Sequence, residues 1–538
     1  MKPIIRSCIG TLVALVVTVR HASAQPAPPP PDTTDTTAPP IPGQPQPYPP
    51  APATPAPVAP ATPAPVAPAT PAPAAPATPS GPAWMSLRVL HDKGLISDAE
   101  LASALNDIGV IGAADTPTLV IARLRTTIYG FLENSFIHDS TESCVEICGN
   151  TQIQRPGTYR GEHGRTVFSA RSSRFGLRIA APEQHGVRVS ALLETDFMGP
   201  TTTTEQGTWS NAVLRIRNAY FKMETPVVDI TIGQTYTLFG WQSTYLVASG
   251  QPPGLPGQLF ERTSQLRLAR TVKTDLATVE LAVAANRPPQ QDSSLPEGVA
   301  GVRLGFDRWT GQHTGYLAST AIQPASLAIS GDLRGFRIPE LAANPHTGHT
   351  EVGGGIALSA YLPIIPATKQ SADNALSLTG ELAVGSGTSD AYTNLGAAGT
   401  ANASLPGTTT AASTATDPGL VAIDATGHVE LIKWTSYIAS IEYYPAGTGG
   451  RVGSFVNYGH MASANARRAG TAATGSAADI AAARSKIRDR EEIYEIGGFF
   501  DPTRSTRIGT SASLYNDTYA DGQAAKNYSL MLSGWLFY

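Results

Sequence analysis

The sequence predicts an all-β protein: a transmembrane antiparallel β-barrel of about 16 strands, preceded by a short helical hairpin and a disordered proline-rich linker. Three observations carry this prediction. The chain begins with an export signal, residues 124–538 alternate apolar and polar side chains, and the last strand ends on an aromatic residue. Alternation alone also fits a soluble β-sandwich, so the export signal and the last strand decide between the two classes.

Residues 1–24 have the three regions of a secretory signal peptide. Lys2 and Arg6 precede an apolar stretch at 9–19, and Ala-Ser-Ala at 22–24 forms the cleavage site. The apolar stretch is far shorter than the roughly 20 residues that a membrane-spanning helix needs. We therefore expect the mature chain to begin near Gln25.

Residues 25–83 form a linker of little more than Pro, Ala and Thr. The octamer ATPAPVAP occurs at 53–60 and 61–68, and ATPAPAAP follows at 69–76. Such a composition cannot bury a core, and proline favours polyproline II, which extends about 3.1 Å per residue. The linker could reach on the order of 150 Å through the periplasm. Contact with peptidoglycan and an inert tether are both open interpretations.

Residues 84–123 predict a periplasmic helical hairpin. A capping box at 97–100 opens its second helix, Gly94 separates the two helices, and leucine and isoleucine recur at helical spacing, at Leu87, Leu90, Leu101, Leu105 and Ile108. The hairpin could hold subunits together, or it could be a simple packed element.

Charge and cysteine content exclude several classes of protein. The chain has 38 basic and 42 acidic side chains, so nothing indicates a nucleic-acid partner. Removal of the signal leaves Cys144 and Cys148, which lack a nearby histidine pair, so we predict no metal site. A local disulfide in an oxidising compartment is the favoured interpretation, and two free thiols are the alternative.

From 124 onward the apolar period is two, which is typical of strands. Within 186–198, Val189, Ala191 and Leu193 share one face, and Arg188, Glu194 and Asp196 share the other. Segment 314–337 reads as two short strands around Pro324. We merge them because both barrel ends should be periplasmic, which requires an even number. Sixteen strands are predicted, near 125–138, 167–181, 186–198, 209–225, 228–240, 262–273, 276–287, 298–309, 314–337, 352–363, 374–387, 426–443, 451–460, 491–501, 503–516 and 526–538.

The last strand has one outward row of apolar residues and ends on an aromatic carboxyl terminus, at Tyr528, Leu530, Leu532, Leu536 and Tyr538. This row resembles the C-terminal signal that the barrel-assembly machinery recognises, although phenylalanine is the usual last residue. The resemblance implies the outer membrane of a Gram-negative bacterium, with outer-membrane lipid around the barrel. Belts of aromatic residues are expected at the two membrane boundaries, with candidates at Trp434, Tyr437, Tyr443, Tyr444, Phe499, Phe500, Trp535 and Phe537.

Short turns alternate with long connections in the predicted order. The long ones, at 139–166, 241–261, 388–425 and 461–490, should face outward. Segment 241–261 follows the strand GQTYTLFG and is our candidate for a loop that narrows the lumen, although an ordinary surface loop has the same composition. A barrel of this size encloses an aqueous lumen.

Several strings in the first third of the barrel resemble the large bacterial porins of the DcaP-like and phosphate-selective O/P type. They are YGFLENSFIHDS at 129–140, SARSSRFGLRIAAP at 169–182, ALLETDFMG at 191–199, RIRNAYFKM at 215–223 and GQTYTLFG at 233–240. The resemblance implies a sixteen-stranded, trimeric channel for small hydrophilic solutes, with an anionic preference in the better-known members. It does not imply the proline-rich repeats.

Charged residues on the water-facing side of the strands are the candidate pore-lining groups: Arg174, Arg178, Arg188, Arg215 and Arg217, joined by Arg267 and Arg334. Guanidinium groups match carboxylate and phosphate geometry. We therefore expect an arginine-rich wall facing acids such as Glu194 and Asp196. The alternative is that these arginines pair with the same acids and brace neighbouring strands.

Two other functions compete with a channel. An enzyme is not predicted, because the sequence has no G-x-S-x-G or HExxH motif and its histidines, His313 among them, are expected in solvated turns. No catalytic residue and no cofactor is expected. The second alternative is a structural outer-membrane barrel, which the proline-rich arm would hold to the cell wall.

Overall fold

The computed structural model describes residues 118–121, 124–199, 213–288, 295–314, 321–339, 346–368, 374–393, 395, 421–423, 429–469 and 487–538. The predicted signal at 1–24 and linker at 25–83 lie outside these residues, as does nearly all of the predicted hairpin at 84–123. Residues 118–121, expected to end that hairpin segment, form a strand instead. Their run Thr-Leu-Val-Ile has the β-branched composition that favours strands.

Twenty strands and three short helical turns lie in the described residues. The strands are β1 Thr118–Ile121, β2 Leu124–Asp139, β3 Arg165–Ser169, β4 Arg174–Ala180, β5 Arg188–Asp196, β6 Arg215–Glu224, β7 Asp229–Tyr236, β8 Arg262–Lys273, β9 Thr278–Asn286, β10 Glu297–His313, β11 Ala321–Pro339, β12 Gly348–Ile365, β13 Ala375–Ser386, β14 Val421–Ile423, β15 Val429–Leu431, β16 Lys433–Tyr444, β17 Val452–Ser463, β18 Arg488–Thr503, β19 Thr506–Tyr519 and β20 Ala524–Phe537. The helical turns are α1 Tyr159–Glu162, a 3₁₀ turn Ser389–Ala391 and α2 Ala466–Ala469.

Seventeen of these strand elements form one closed antiparallel barrel of sixteen strands, which confirms the predicted fold class. The ring closes where β2 pairs with β20, from Phe131 opposite Phe537 to Asp139 opposite Ser529. Strands β3 and β4 both pair with β2 and are two parts of one barrel strand. Strand β1 extends the ring as a hairpin with β2, and β14 and β15 pair only with each other.

The predicted element at 314–337 corresponds to one described strand, β11, which begins at Ala321 and continues through Pro324. Its partner β10 extends to His313, and the register between them shifts at Phe306 and Thr310, where Pro324 lies opposite Thr310. Proline has no backbone N–H to donate, so strands tolerate it at such a bulge. The proline therefore marks an irregularity in one strand rather than a break between two.

The barrel is apolar outside and polar inside. On β20, Leu530 and Leu532 are each 51% exposed, while Asn527 and Ser533, at positions of the opposite parity, are buried. Alternation of this kind places one face against lipid and the other toward a lumen. Within the part of the chain that the structure describes, no helix is long and apolar enough to cross a membrane.

Strand length divides the barrel into two walls. The short wall, β4–β9, has strands of 7 to 12 residues. The long wall, β10–β13 and β16–β20, has strands of 12 to 19 residues. The long connections emerge at one end of the barrel, the loop end, together with the short turn 520–523, and the other end, the turn end, has short connections.

Candidate functional site in the barrel lumen

The connection between β7 and β8, residues 237–261, folds into the lumen. This inner loop contains the segment that the sequence analysis named as a narrowing loop. Its side chains Leu238, Phe239, Tyr245 and Leu259 are almost completely buried. Three of its backbone amides donate to the long wall: Gly240 to Ser330 Oγ at 2.7 Å, Leu259 to Glu381 Oε1 at 2.8 Å and Gly250 to Glu495 Oε1 at 3.2 Å.

Apolar contacts and one close backbone approach hold the inner loop there. Its aromatic and leucine side chains pack with Ala357, Ala383 and Trp434, which point inward from three long-wall strands. At Gly257 the backbone has φ of 88°, and a Cβ there would lie 2.3 Å from Tyr437 O. Only glycine combines that conformation with that proximity. The backbone of the loop is therefore held against the long wall, while its apolar side chains also contact Ala282 and Ala284 of β9.

Two further connections pack on the inner loop from the loop end. In residues 140–164, Cys144 and Cys148 are joined by a disulfide, which is buried with Leu255 of the inner loop. In residues 387–432, Ala391 O accepts from Phe260 N at 2.8 Å. These contacts fill the part of the lumen beside the long wall.

The predicted arginines of the short wall lie on its inner face, but most are paired with acids. Arg217 is buried and contacts Glu194 at 2.8 Å and Asp196 at 2.9 Å. Arg215 donates to both oxygens of Asp196 at 3.0 and 2.6 Å, and Arg174 lies 3.7 Å from Glu194. The two acids belong to β5, between the strands β4 and β6 that carry these arginines, so the pairs connect neighbouring strands.

Two of the predicted arginines of the short wall have no such acid partner. Arg178 lies over the ring of Tyr129, 4.0 Å from its centroid. Arg267 donates to Gln265 Oε1 at 2.9 Å and to Tyr236 O at 2.6 Å, both neutral acceptors. No carboxylate of the described residues lies within ion-pair distance of Arg178 or Arg267, although the negative charge of Glu280 acts on Arg267 from further away.

Arg188 and Arg334 differ from this pair in opposite ways. Arg188, at the turn end of β5, has a side chain that is 64% exposed and lies 3.5 Å from Glu224. Arg334 is buried and contacts Glu297 at 2.7 Å, Asp332 at 2.9 Å and Asp390 at 2.5 Å. Because Asp390 belongs to the connection at 387–432, Arg334 fastens that connection to the wall rather than lining a passage.

Glu261, at the end of the inner loop, lies near the same acids. Its pKa is well above the usual value because it is buried, and because the negative charges of Asp390 and Glu297 are close. Arg334 acts in the opposite direction. The loop base therefore combines several carboxyl groups with one guanidinium, which favours protonation of Glu261 in the folded state.

Sequence reasoning missed the carboxylates that hold the inner loop and misplaced His313. His313 is not in a solvated turn: it ends β10 and is buried, with Nδ1 2.9 Å from Glu442 Oε2 and Nε2 3.1 Å from Leu246 O. Glu381 and Glu495 could have been noticed as acids at inward positions of otherwise small or apolar strands. Their loop partners could not have been found from the sequence.

The aromatic belt candidates divide between the two faces. Trp434, Tyr444, Phe499 and Trp535 are buried in the lumen, because their strand positions have inward parity. Tyr437 and Phe500 point outward. The C-terminal tyrosines also point outward, with Tyr528 59% and Tyr538 44% exposed. The complete C-terminal row, Tyr528, Leu530, Leu532, Leu536 and Tyr538, lies on the outer face of β20.

Comparison with known proteins finds likeness in structure. No protein-family model matches the chain, and no curated protein matches its sequence. The outer membrane channel DcaP of Acinetobacter baumannii superposes with a TM-score of 0.55 at 16% identity, covering 78% of this chain and 98% of that one. The anion-selective porin from Comamonas acidovorans gives 0.44 at 11% identity (77% and 100%), and Pseudomonas putida OprB gives 0.44 at 8% identity (76% and 94%). At these identities the likeness to DcaP establishes the barrel fold.

Proposed function

We propose that the chain is an outer-membrane porin of the DcaP-like type, a passive diffusion channel for small hydrophilic solutes that prefers anions. The fold that it shares with an outer membrane channel and the apolar outer face of its strands support this proposal. The loop end would face outward, and the N-terminal segment would lie in the periplasm. The barrel-assembly machinery would recognise the outward row of β20.

The observation that carries the anion preference is that two arginines on the inner face of the short wall have no carboxylate of the described residues within ion-pair distance. Arg178 is exposed and Arg267 is part-exposed, and both contact only neutral groups. Selectivity in channels arises from charged side chains along the narrow part of the passage. Guanidinium groups donate paired hydrogen bonds to carboxylate and phosphate, so this wall favours anionic solutes.

We also propose a homotrimer with the short wall toward its centre. Strand β7 has 8 residues, whereas a tilted strand needs about 9–11 residues to cross a bilayer. Strands of the long wall meet that length. A wall with such short strands is suited to contact with neighbouring subunits rather than with lipid. Cross-linking of the refolded protein measures the number of subunits directly.

The test of the channel is single-channel recording of the refolded mature protein in a planar bilayer under a salt gradient. We expect stepwise conductance and a reversal potential of anion sign. Replacement of both cations, Arg178→Gln with Arg267→Gln, should move the reversal potential toward zero or to cation sign. The matched control is Arg270→Gln, which removes the same charge from the outer face of β8 and should change nothing. Unchanged selectivity in the double variant would refute the anion assignment.

A structural role is the second candidate, because three connections pack inside the lumen beside the long wall. In this alternative the barrel is closed and the arm at 25–83 binds peptidoglycan. Absence of conductance in the refolded protein would favour it. A peptidoglycan pull-down that is unchanged by deletion of 26–82 would remove the cell-wall contact from either function.

A further inference from the structure

The outer face of the long wall carries a row of polar residues near the loop end. Register places Tyr437 opposite His460, His460 opposite Glu492, Glu492 opposite Asn516 and Asn516 opposite Lys526. These five residues, the outer polar row, cross five consecutive strands from β16 to β20. Ionisable groups on the outer face of a barrel are costly when they contact hydrocarbon. Their partner must therefore be something more polar.

The acid of this row has both of its partners within the row. Glu492 Oε1 lies 3.2 Å from His460 Nδ1, and Glu492 Oε2 accepts from Asn516 Nδ2 at 2.9 Å. The imidazole of His460 stacks on the ring of Tyr437 at 5.0 Å. Both oxygens of the Glu492 carboxylate are therefore engaged by neighbouring strands.

Positive charge remains on either side of β19. Arg490 is exposed and lies opposite Thr518, to which it donates one hydrogen bond of 3.2 Å. Lys526 is exposed and has no hydrogen bond or ion pair among the described residues. The two cations are separated by two strand spacings and two residues along the strand, which puts their Cα atoms about 12 Å apart. Their long side chains can therefore reach one multiply charged headgroup.

Between these cations and the turn end, the outer face of the long wall carries first tyrosines and then aliphatic side chains. Tyr458 and Tyr494 pack at 4.8 Å between ring centroids, and Tyr528 lies outward on β20. Val456, Ile496 and Leu530 follow toward the turn end, each more than half exposed. This order, from aliphatic side chains through tyrosines to cations, is the order expected across a membrane boundary, where tyrosine lies at headgroup level.

We propose that Lys526 of the outer polar row and Arg490, two residues nearer the loop end, bind the phosphate groups of a phosphorylated glycolipid in the outer leaflet. The proposal rests on the outer-membrane location given above, but not on an open channel. Charge complementarity identifies the occupant, because two cations lie at the headgroup boundary and the acid beside them is hydrogen-bonded within the row. On β12 and β13 the corresponding outer positions stay aliphatic, at Val352, Ile356, Leu382 and Val384, so the site is local.

The experiment is native mass spectrometry of the refolded full-length mature protein in detergent with bisphosphorylated lipid A, and separately with dephosphorylated lipid A. The wild type should retain the phosphorylated lipid about tenfold better, which corresponds to about 1.4 kcal/mol. Arg490→Gln with Lys526→Gln should abolish that preference, and Lys526→Arg should keep it. The matched control is Arg337→Gln, on the outer face of β11, which should behave as the wild type.

Three outcomes would overturn the proposal: equal retention of the two lipids, full retention by the double variant, or equal loss in the Arg337→Gln control. If the double variant instead loses subunits in the same spectra, the surface is a contact between copies and the lipid assignment is wrong. Heat-modifiable mobility on a gel verifies that each variant is folded. Bilayer recordings test the channel separately, so failure of the lipid site and failure of the porin proposal are distinguishable.

Discussion

The short wall and the long wall of this barrel compensate their inward charges in different ways. In both, inward charges must be compensated or hydrated. In the short wall, Glu194 and Asp196 neutralise arginines on adjacent strands, and Arg178 and Arg267 remain accessible. In the long wall, carboxylates such as Glu381 and Glu495 accept hydrogen bonds from backbone amides of the inner loop.

This difference shows how one barrel can be a rigid support on one side and a passage on the other. A buried carboxylate that accepts backbone N–H groups fixes a loop at a defined height. An arginine that contacts only neutral acceptors keeps a net positive charge that can attract anionic solutes. The predictions below test this division, from the largest expected effect to the smallest.

Removal of the inner loop should have the largest effect. Deletion of 243–258 uncovers the long wall, so single-channel conductance should rise several-fold in planar bilayers. Anion preference should fall, because Glu381 and Glu495 would then face the passage. Conductance equal to that of the wild type would mean that the loop does not narrow the lumen.

The next effect distinguishes bracing arginines from accessible ones. Arg217→Ala leaves Glu194 and Asp196 buried without their shared partner, which should cost roughly 3–5 kcal/mol of unfolding free energy. Arg178→Ala, on the same wall, should cost within about 0.5 kcal/mol. Urea unfolding in the same lipid measures both. Equal costs would show that the two groups of arginine do not differ in role.

The disulfide of the first long connection should have a smaller effect. Cys144→Ser with Cys148→Ser removes a cross-link that closes a five-residue loop, for which chain entropy predicts about 2 kcal/mol. The measurement is urea unfolding under oxidising conditions. Wild-type protein in reductant is the control and should lose a similar amount; a stable reduced protein would contradict this role.

The smallest effect is a pH dependence at Glu261. Its pKa is raised in the folded state by burial and by neighbouring acids, so the folded chain binds the proton more tightly than the unfolded chain. Glu261 therefore lowers stability as pH rises from about 4.3, the usual glutamate value, through the raised pKa. Glu261→Gln should be more stable than the wild type at neutral pH, and the difference should vanish below the usual pKa. A difference independent of pH would contradict this.

Sequence periodicity predicted the strands well, because the alternation of apolar and polar residues along a strand depends only on which face each residue occupies. All sixteen predicted strands overlap observed ones, and β8 has the predicted bounds. The aromatic belt was only partly right, because a shift of one residue moves a side chain to the other face. Trp434 and Tyr437 lie on one strand, yet they point in opposite directions.

The sequence by itself determined the barrel, its closure by an aromatic-ended strand and the inward placement of the arginines, since alternation and turn residues act between near neighbours. Only the tertiary structure decided which arginines are neutralised, where the inner loop lies and which acids hold it. Those contacts join residues far apart in the chain, such as Gly250 and Glu495. Their partners are fixed by the curvature of the closed barrel, which no local pattern encodes.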